Sequence, residues 1–512
     1  MNDRSPLSPP LAPPLPGPAP EPAVDAAKLR GHAVRGGAIT LIAQGVKFVL
    51  NVASTVLLAR LLSPTDYGLF AMVTGFTSLV EILKDGGLSL ATVQRDRISE
   101  EQISTLFWLN LLLGATLMLV TFALTPLITH FYAEERLTGI LFALAGTFLI
   151  SGLGVQHFAL LRRHLRFTLV AAIDAGSMAV GVIVAALLAL RGFGYWALVG
   201  MAVSSTLTST IAVWIAAPWR PGRSAPLRSV APMLGFGGNI ILTRFVHQFV
   251  RSSPNVLIGW YWGPVTVGLY QRAYALLMFA VDQIQGPVAA VMLPPLARIQ
   301  KDPTLLRHLF LTGYRLIASA IVPVLATCFV FSEEIVALLL GPKWGETALV
   351  LRWLAAGGIV VGLLNPQGLL LLALGRANTC MKIGLADALA VVTGYAAGLR
   401  FGAVGVGLGF LGAKLALCVP LTYASFRGTP VHWRDALGVV RPPLAASLAA
   451  ALFGAVLKHL VQGTLDPRTL GVVGPLFTLL LYAAILLFVA GQWSFFRELL
   501  QELRPRKRPA TA

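Results

Sequence analysis

The chain has 512 residues, of which 56% are hydrophobic and only 12% are charged, and its mean hydropathy is +0.76. Because soluble domains carry about 25% charged residues, this composition excludes the water-soluble enzyme classes and indicates a polytopic membrane protein. The 40 Lys and Arg residues outnumber the 22 Asp and Glu residues, and since most of them flank hydrophobic runs, we interpret the excess as a bias of cytoplasmic loops and not as nucleic-acid binding.

The first segment of the chain is rich in proline. Residues 1–27 contain nine prolines and lack the apolar stretch of a signal peptide. We therefore expect a disordered cytoplasmic tail over 1–35. The first transmembrane helix then serves as an uncleaved anchor.

Fourteen hydrophobic segments follow, each close to the roughly 20 residues that a spanning helix needs. The first six lie near 36–62, 69–92, 105–132, 138–160, 168–190 and 195–217. The next six lie near 236–262, 268–296, 307–332, 347–374, 379–399 and 402–424, and the last two near 442–461 and 470–490. The sequence therefore predicts an all-α polytopic membrane protein with about 14 transmembrane helices.

The distribution of basic residues predicts the orientation of these helices. With the N-terminus in the cytoplasm, the cytoplasmic segments from Lys28 onward hold 24 Lys and Arg residues and the outer loops hold seven. A miscounted helix would disturb this alternation downstream of the error, but it stays regular to the end. We therefore expect a multi-pass protein of the bacterial inner membrane with both termini in the cytoplasm.

The loops between the predicted helices are short. None of them is long enough for a catalytic domain, and the chain has no nucleotide-binding, nucleophile-elbow or zinc-protease motif. Cys328, Cys380 and Cys418 form no C-x-x-C pair, so they predict neither a disulfide framework nor a metal site. The C-terminal run QWSFFRELLQELRPRKRP is typical of an amphipathic helix that lies on anionic membrane lipids. We expect a transporter without catalytic residues or cofactor.

An internal repeat relates the two halves of the chain. The run S-P-x-x-x-G-L-F at 63–70 matches G-P-x-x-x-G-L-Y at 263–270, an offset of 200 residues. The same offset aligns Gly37 with Gly237 and Gly86 with Gly286. We expect the proline to start a turn and the glycine to let the backbone reverse.

The repeat predicts the division of the chain into domains. Six helices per repeat give both halves the same orientation, with a pseudo-two-fold axis along the membrane normal. The predicted parts are a six-helix bundle over 36–217, a cytoplasmic linker over 218–235, a second six-helix bundle over 236–424, two extra transmembrane helices over 442–490 and a basic cytoplasmic tail over 491–512.

Polar residues form matching stripes on the first and seventh helices. Three residues spaced i, i+3 and i+7 share one face of each helix, namely Gln44, Lys47 and Asn51, and at the same offset Arg244, His247 and Arg251. A charge at the bilayer centre costs about 2.5–3.5 kcal/mol on insertion scales, so such residues usually face a cavity or a partner. We expect the two stripes to face each other across a central cavity.

Basic residues outnumber acidic ones inside the predicted helices. Eight cations stand against five acids, namely Lys47, Lys84, Arg244, Arg251, Arg272, Arg315, Arg352 and Lys414 against Glu81, Asp85, Asp174, Asp282 and Asp387. Some of these form salt bridges, as we expect for Lys84 with Glu81, but the excess favours a water-filled cavity and an anionic substrate. Residues that can titrate during ion-coupled transport are Glu81, Asp85, Asp174, Asp282 and His247.

Several motifs together resemble the bacterial polysaccharide transporter family. The run LLARLLSPTDYGLFAMV at 57–73 is followed by GLYQRAYALL at 268–277, PPLARIQKDP at 294–303 and LLLGPKW at 338–344, in the family's order. These are Wzx-type lipid-linked oligosaccharide flippases of the multidrug/oligosaccharidyl-lipid/polysaccharide exporter superfamily. The resemblance covers about 36–424. One departure is that Pro254 and Trp260 stand where the family often has Asp and Arg. If that Asp carries ion coupling in relatives, the coupling route here differs or is absent.

The resemblance implies a substrate and a mechanism. The substrate is an undecaprenyl-pyrophosphate-linked oligosaccharide, moved across the membrane for exopolysaccharide or lipopolysaccharide biosynthesis by alternating access. Its pyrophosphate is the anion that a cationic cavity attracts, and arginine suits phosphate oxygens. We expect Lys47, Arg244, His247 and Arg251 to hold it, with Gln44, Asn51 and Arg272 beside them. A polysaccharide polymerase and export machinery are the implied protein partners.

Three alternative functions remain open from the sequence. A flippase for the peptidoglycan lipid precursor shares the helix count and a cationic cavity, although the G-P-K-W and S-P-T-D-Y-G motifs favour the polysaccharide branch. A multidrug antiporter calls for an acid-dominated cavity, because its substrates are cations. A membrane glycosyltransferase or polymerase usually carries long outer loops with clustered charges.

Overall fold

The computed structural model describes the backbone of residues 26–84, 89, 92–93, 95, 98–226, 228, 230, 238–461, 464 and 466–503. Within these ranges it describes no side chains for 26–43, 238–244, 499–500 and 502–503. The described residues form helices and connecting turns, and no strand occurs among them. This confirms the predicted all-α class.

Fifteen helices are numbered here in chain order. The N-terminal set comprises α1 (Ala26–Leu61), α2 (Pro64–Leu83), α3 (Glu100–Tyr132), α4 (Leu137–Arg163), α5 (Phe167–Leu190) and α6 (Trp196–Ala216). The C-terminal set comprises α7 (Gly238–Arg298), α8 (Pro303–Val330), the short α9 (Ser332–Leu339), α10 (Gly345–Ala373), α11 (Ala377–Gly398) and α12 (Gly402–Phe426). The remaining helices are α13 (Trp433–Val461), α14 (Pro467–Ala484) and α15 (Trp493–Leu503).

The long helix α7 consists of two arms that meet at Gly263. Gly263 has φ 75° and ψ −172°, a conformation that only glycine adopts without strain, so the chain reverses there as the two predicted helices 236–262 and 268–296 require. Eleven segments of the described chain are long and apolar enough to cross a membrane, and two of them, Phe245–Arg298 and Ala377–Phe426, contain two helices each. Counted separately, the helices of these segments account for thirteen of the fourteen predicted ones, and α1 occupies the position of the remaining one, 36–62.

Serine and proline at the start of α2 fix where this helix begins. The Ser63 hydroxyl oxygen accepts a hydrogen bond from the Asp66 backbone N–H at 3.3 Å, and the Asp66 carboxylate accepts one from the Ser63 backbone N–H at 2.9 Å. This reciprocal capping box satisfies N–H groups that a helix start leaves unpaired, and Pro64 occupies the first helical position, where its missing N–H costs nothing. The run S-P-T-D is therefore a helix-start signal.

The repeated glycines have a different role from the predicted one. A Cβ atom on Gly68 would overlap the carbonyl oxygen of Pro264, and a Cβ atom on Gly268 would overlap that of Pro64. The Cα atom of each glycine thus packs directly against the proline carbonyl group of the other motif. Because glycine has no side chain, the backbones of α2 and the second arm of α7 can cross in contact. The expectation that these glycines reverse the chain was wrong, because Gly68 lies inside a helix and Gly263 makes the reversal in the second repeat.

Helices α11 and α12 of the C-terminal set pack closely along their length. A Cβ atom on Gly394 or Gly398 would overlap the carbonyl oxygens of Gly409 or Gly405. Beside this contact Lys414 donates to both oxygens of Asp387, at 2.6 and 2.8 Å, and only 9% of the Lys414 side chain is exposed. The space between these two helices is therefore filled.

Candidate functional site

A central cavity of about 880 Å³ lies between the N-terminal set and both arms of α7. Its walls come from α1, α2, α4, α5, α6 and α7, together with Leu339 at the end of α9. Its charged and amide-bearing lining residues are Asn51, Glu81, Gln248, Arg251, Asn255, Gln271, Arg272 and Asp282. The cavity is thus bounded by residues from both repeats, as the sequence predicts for a transporter of two bundles.

One end of this cavity, which we call the closed end, is bounded by contacts between the two sets. Trp344 of the G-P-K-W motif is fully buried, and its indole Nε1 donates to the Ala59 carbonyl oxygen at 2.9 Å. Its ring meets Tyr67 edge to face, with centroids 5.4 Å apart. Arg60 donates to the Leu338 carbonyl oxygen at 2.8 Å. These contacts adjoin the crossing of the two prolines and glycines.

Arg272 is held in a fixed orientation near the closed end. Its guanidinium lies 4.1 Å from the centroid of the Tyr67 ring, an arrangement that attracts a cation to the ring face. It also donates two hydrogen bonds, at 2.9 and 2.7 Å, to Oε1 of Gln271. Both partners are neutral, so neither compensates the positive charge of Arg272. The guanidinium also has further N–H groups that can donate to a ligand.

Arg251 of the first arm lines the same cavity. Its guanidinium lies beside the hydroxyl of Tyr274. The same hydroxyl interacts electrostatically with Asp282. Among the residues that the structure describes, neither Arg251 nor Arg272 has a carboxylate within ion-pair distance. The two arginines are the cavity's available anion-binding groups in that part of the chain.

Two acids line the cavity farther from the closed end. At the α-helical rise, Arg272 and Arg251 lie about 14 and 18 Å along their arms from Gly263, whereas Asp282 lies about 28 Å from it. Glu81 lies about 26 Å from Pro64 along α2. The two arginines and two acids among the described lining residues give a formal net charge of zero, in place of the predicted net positive charge. The arginines lie nearer the closed end, and the acids lie nearer the opposite end of the cavity.

Lys47 departs from its predicted place. Its Nζ atom lies 3.2 Å from Oδ2 of Asp174, and the pair lines a second cavity and not the central one. The predicted face-to-face stripes are therefore only partly formed: Asn51 and Arg251 share the central cavity, while Lys47 does not. Gln44 and His247 are exposed and line neither cavity. The side chain of Arg244 and the whole of Asp85 lie outside the described residues.

The other predicted intramembrane cations have partners. Lys84 pairs with Glu81 at 3.2 Å, as expected, Arg352 with Glu333 at 2.9 Å and Lys414 with Asp387 at 2.6 Å. Arg315 lies over the Phe495 ring at 4.5 Å. In the described part of the chain, Arg251, Arg272 and Arg315 have no carboxylate partner, and of these three Arg251 and Arg272 line the central cavity.

A polar bridge across the cavity wall was not predicted from the sequence. The Gln248 side-chain amide donates to the Ser78 and Ser252 hydroxyl oxygens, at 2.9 and 3.1 Å, which joins α2 to the first arm of α7. Gln248, Ser252 and Asn255 are spaced i, i+4 and i+7, a helical face that the search for charges overlooked.

The two departures from the family pattern lie away from the central cavity. Pro254 is buried inside α7 and does not line the cavity. Trp260 is 55% exposed and stacks on Phe131 with centroids 6.2 Å apart.

Comparison with known proteins identifies relatives of this chain. A family described as polysaccharide biosynthesis protein matches residues 57–349. The teichuronic acid biosynthesis protein TuaB of Bacillus subtilis (strain 168) is 30% identical over 335 residues, which cover 64% of this chain and 69% of that protein. The succinoglycan biosynthesis transport protein ExoT of Rhizobium meliloti (strain 1021) is 24% identical over 476 residues, which cover 90% of this chain and 93% of that protein.

Solved structures show the same fold. The lipid II flippase MurJ in an inward closed conformation aligns with a TM-score of 0.72 at 14% identity, over 90% of this chain and all of that chain. An inward-facing multidrug resistance MATE family transporter of the MOP superfamily aligns with a TM-score of 0.62 at 14% identity, over 76% of this chain and 98% of that chain. This chain is therefore a multi-pass membrane protein of the polysaccharide biosynthesis protein family, with the all-α fold of the MurJ and MATE transporters.

Proposed function

We propose that this protein flips a polyprenyl-pyrophosphate-linked oligosaccharide across the bacterial inner membrane for exopolysaccharide or lipopolysaccharide biosynthesis. The observation that carries the proposal is the pair of arginines without acidic partners, Arg251 and Arg272, in a cavity between two sets of helices. The family and the names of its relatives, which concern polysaccharide biosynthesis and transport, supply the class of substrate.

The chemistry of the two arginines suits a pyrophosphate. A guanidinium presents a planar fork of N–H donors that binds two phosphate oxygens at once, and it stays charged at any physiological pH. Arg251 and Arg272 line the same cavity from different arms of α7, and in the proposed complex each arginine binds one phosphate of the ligand. An acid-dominated cavity, as a multidrug antiporter calls for, is not formed by the described lining residues.

Transport requires the cavity to open alternately on each side of the membrane. The closed end must then separate, which breaks the hydrogen bonds from Trp344 to Ala59 and from Arg60 to Leu338. No nucleotide-binding motif occurs in the sequence, so we propose an ion gradient as the energy source. Glu81 and Asp282 are the candidate coupling acids that line the central cavity, while Asp174 and His247 stay candidates outside it.

Binding of undecaprenyl pyrophosphate to the purified protein tests the site. Charge-assisted hydrogen bonds contribute about 1.5–3 kcal/mol each, so Arg251→Ala and Arg272→Ala should each weaken binding by about tenfold or more. Arg251→Lys and Arg272→Lys should bind more tightly than the alanine variants but more weakly than the wild type, because an ammonium lacks the planar fork of N–H donors.

The matched control is Arg315→Ala, which removes an arginine from another spanning helix that does not line the central cavity. We expect this variant to bind as the wild type does. Wild-type affinity in a folded Arg251→Ala, Arg272→Ala double variant would contradict the proposed site.

A further inference from the structure

A second cavity of about 410 Å³, here called the side cavity, lies inside the N-terminal set between α1, α2, α4, α5 and α6. Hydroxyl groups and charged side chains dominate its lining. Its polar lining residues are Lys47, Lys84, Ser151, Asp174, Ser177, Ser205, Thr206, Ser209 and Thr210. The proposed phosphate site uses none of them.

The side cavity adjoins the central cavity. Ser205 and Thr206 on α6 line both cavities, so one turn of this helix forms their common border. A ligand that holds its phosphates between Arg251 and Arg272 can therefore extend past this turn into the N-terminal set.

The charges in the side cavity compensate each other. Lys47 pairs with Asp174, and Lys84 pairs with Glu81, which lines the central cavity. Both lysines of this cavity are already paired with acids, which disfavours binding of a second phosphate. The Asp174 carboxylate is already paired with the Lys47 ammonium, which disfavours binding of a metal cation. The side cavity therefore favours a neutral ligand.

The hydrogen-bonding groups of the side cavity suit a ligand rich in hydroxyl groups. Thr206 and Thr210 donate their hydroxyl hydrogens to the carbonyl oxygens of Ala202 and Ile150, at 2.8 and 3.2 Å, which leaves the lone pairs of their oxygens to accept. Lys47 has three N–H donors, and one of them serves Asp174. Donors and acceptors thus stand close together, as recognition of sugar hydroxyls requires.

The C-terminal set shows that the fold does not require such a space. There the glycines of α11 and α12 bring the two backbones into contact, and the Lys414–Asp387 pair is largely buried. In the N-terminal set about a third of each side chain of the Lys47–Asp174 pair is exposed, 33% and 37%. The side cavity is therefore a property of the N-terminal set.

We propose that the side cavity binds a neutral, hydroxyl-rich part of the saccharide while the pyrophosphate lies between Arg251 and Arg272. This inference rests on the proposed function and assigns separate places to the two parts of the substrate. It gives Lys47 and Asp174 a role in holding sugar hydroxyls, in place of the phosphate-binding role that the sequence predicted for Lys47.

Filling the side cavity tests this assignment. Ser209 and Ser177 line the side cavity but not the central one, so Ser209→Leu and Ser177→Leu reduce its volume and leave the arginines in place. The two probes are bare undecaprenyl pyrophosphate and the lipid-linked oligosaccharides extracted from producing cells that lack this gene. We expect wild-type affinity for the bare lipid and at least tenfold weaker binding of the saccharide-bearing lipid.

Two further variants make the result unambiguous. Ser204→Leu places the same side chain on α6 where it lines neither cavity, and it should bind both probes as the wild type does. Lys47→Met with Asp174→Asn removes the strongest donor and acceptor without filling the cavity, and should weaken only the saccharide-bearing lipid, by several-fold. This second variant decides the question if the leucine variants do not fold.

Each outcome separates the inference from the proposed function. If the folded variants lose affinity for both probes equally, or for neither, the side cavity does not bind saccharide and the inference is overturned. If the wild-type protein binds neither probe, the proposed function fails and the inference fails with it.

Discussion

The N-terminal and C-terminal sets of helices each carry one copy of the P-x-x-x-G-L motif but differ in their interiors. In the C-terminal set, glycines bring α11 and α12 into backbone contact and bury the Lys414–Asp387 pair. In the N-terminal set, hydroxyl-bearing residues stand around a cavity that holds the Lys47–Asp174 pair. The C-terminal set is thus closely packed between α11 and α12, whereas the N-terminal set holds a polar cavity beside the proposed phosphate site.

What the two sets share lies at the closed end. The crossing of Pro64 and Gly68 with Pro264 and Gly268 is reciprocal, so each repeat supplies the same two parts of the contact. Both copies of the motif thus take part in one contact, whereas the polar stripes of the first and seventh helices do not occupy equivalent places: Lys47 lines the side cavity and Arg251 the central one.

The largest expected effect concerns orientation, because labelling from one side of a membrane is all or none. We predict that single cysteines in a cysteine-free background are labelled from outside near Pro64, Gly263, Lys343 and Asp466. Cysteines near Arg163, Arg223 and Lys301 should be labelled only from the cytoplasm. Labelling of positions 163 and 263 from the same side would show that the two sets do not share one orientation.

A second effect concerns the crossing at the closed end. Gly68→Val should destabilise the protein by about 1–3 kcal/mol or more, because overpacking forces the backbones apart and the clash here is with the Pro264 carbonyl oxygen. Gly286→Val, in contrast, places its side chain in open space and should have a small effect. The melting temperature of both purified variants measures the difference, and equal values would exclude the close crossing.

A third effect distinguishes the stabilities of the two lysine–aspartate pairs. Lys414→Met leaves Asp387 without its partner in a mostly buried place and should cost about 3–5 kcal/mol. Lys47→Met breaks a pair that is about one-third exposed, for which about 0–1 kcal/mol is typical. Urea unfolding of the two variants in the same detergent gives the comparison. A larger loss for Lys47→Met would mean that the N-terminal set is the more tightly packed one.

The fold could be predicted from the sequence to a large extent. Hydrophobic length and the alternation of basic loops gave fourteen helices, and Gly263 reverses the chain where two helices were predicted. Three of the four motifs that indicated the family lie at the closed end, where they include Ala59 and Arg60, the capping box of Ser63 and Asp66, Gly268, and Trp344. The fourth motif, at 294–303, lies at the far end of the second arm of α7.

The site could be predicted only in part. Arg251, Arg272, Asn51, Glu81 and Asp282 line the central cavity, as intramembrane polar residues are expected to do. The sequence could not show that Lys47 meets Asp174, since the partners are 127 residues apart and pairing depends on how α1 packs against α5. The hydroxyl groups of the side cavity gave no signal, because serine and threonine also occur as packing residues in membrane helices.

The central claim is that this protein moves a lipid-linked oligosaccharide by holding its pyrophosphate between two arginines. The most direct measurement is transbilayer movement of the extracted lipid-linked oligosaccharide in vesicles that contain the purified protein, with an imposed proton or sodium gradient. We predict rapid movement with the wild type and with Arg315→Ala, and movement at the rate of protein-free vesicles with the Arg251→Ala, Arg272→Ala double variant. Wild-type movement by that double variant would contradict the claim.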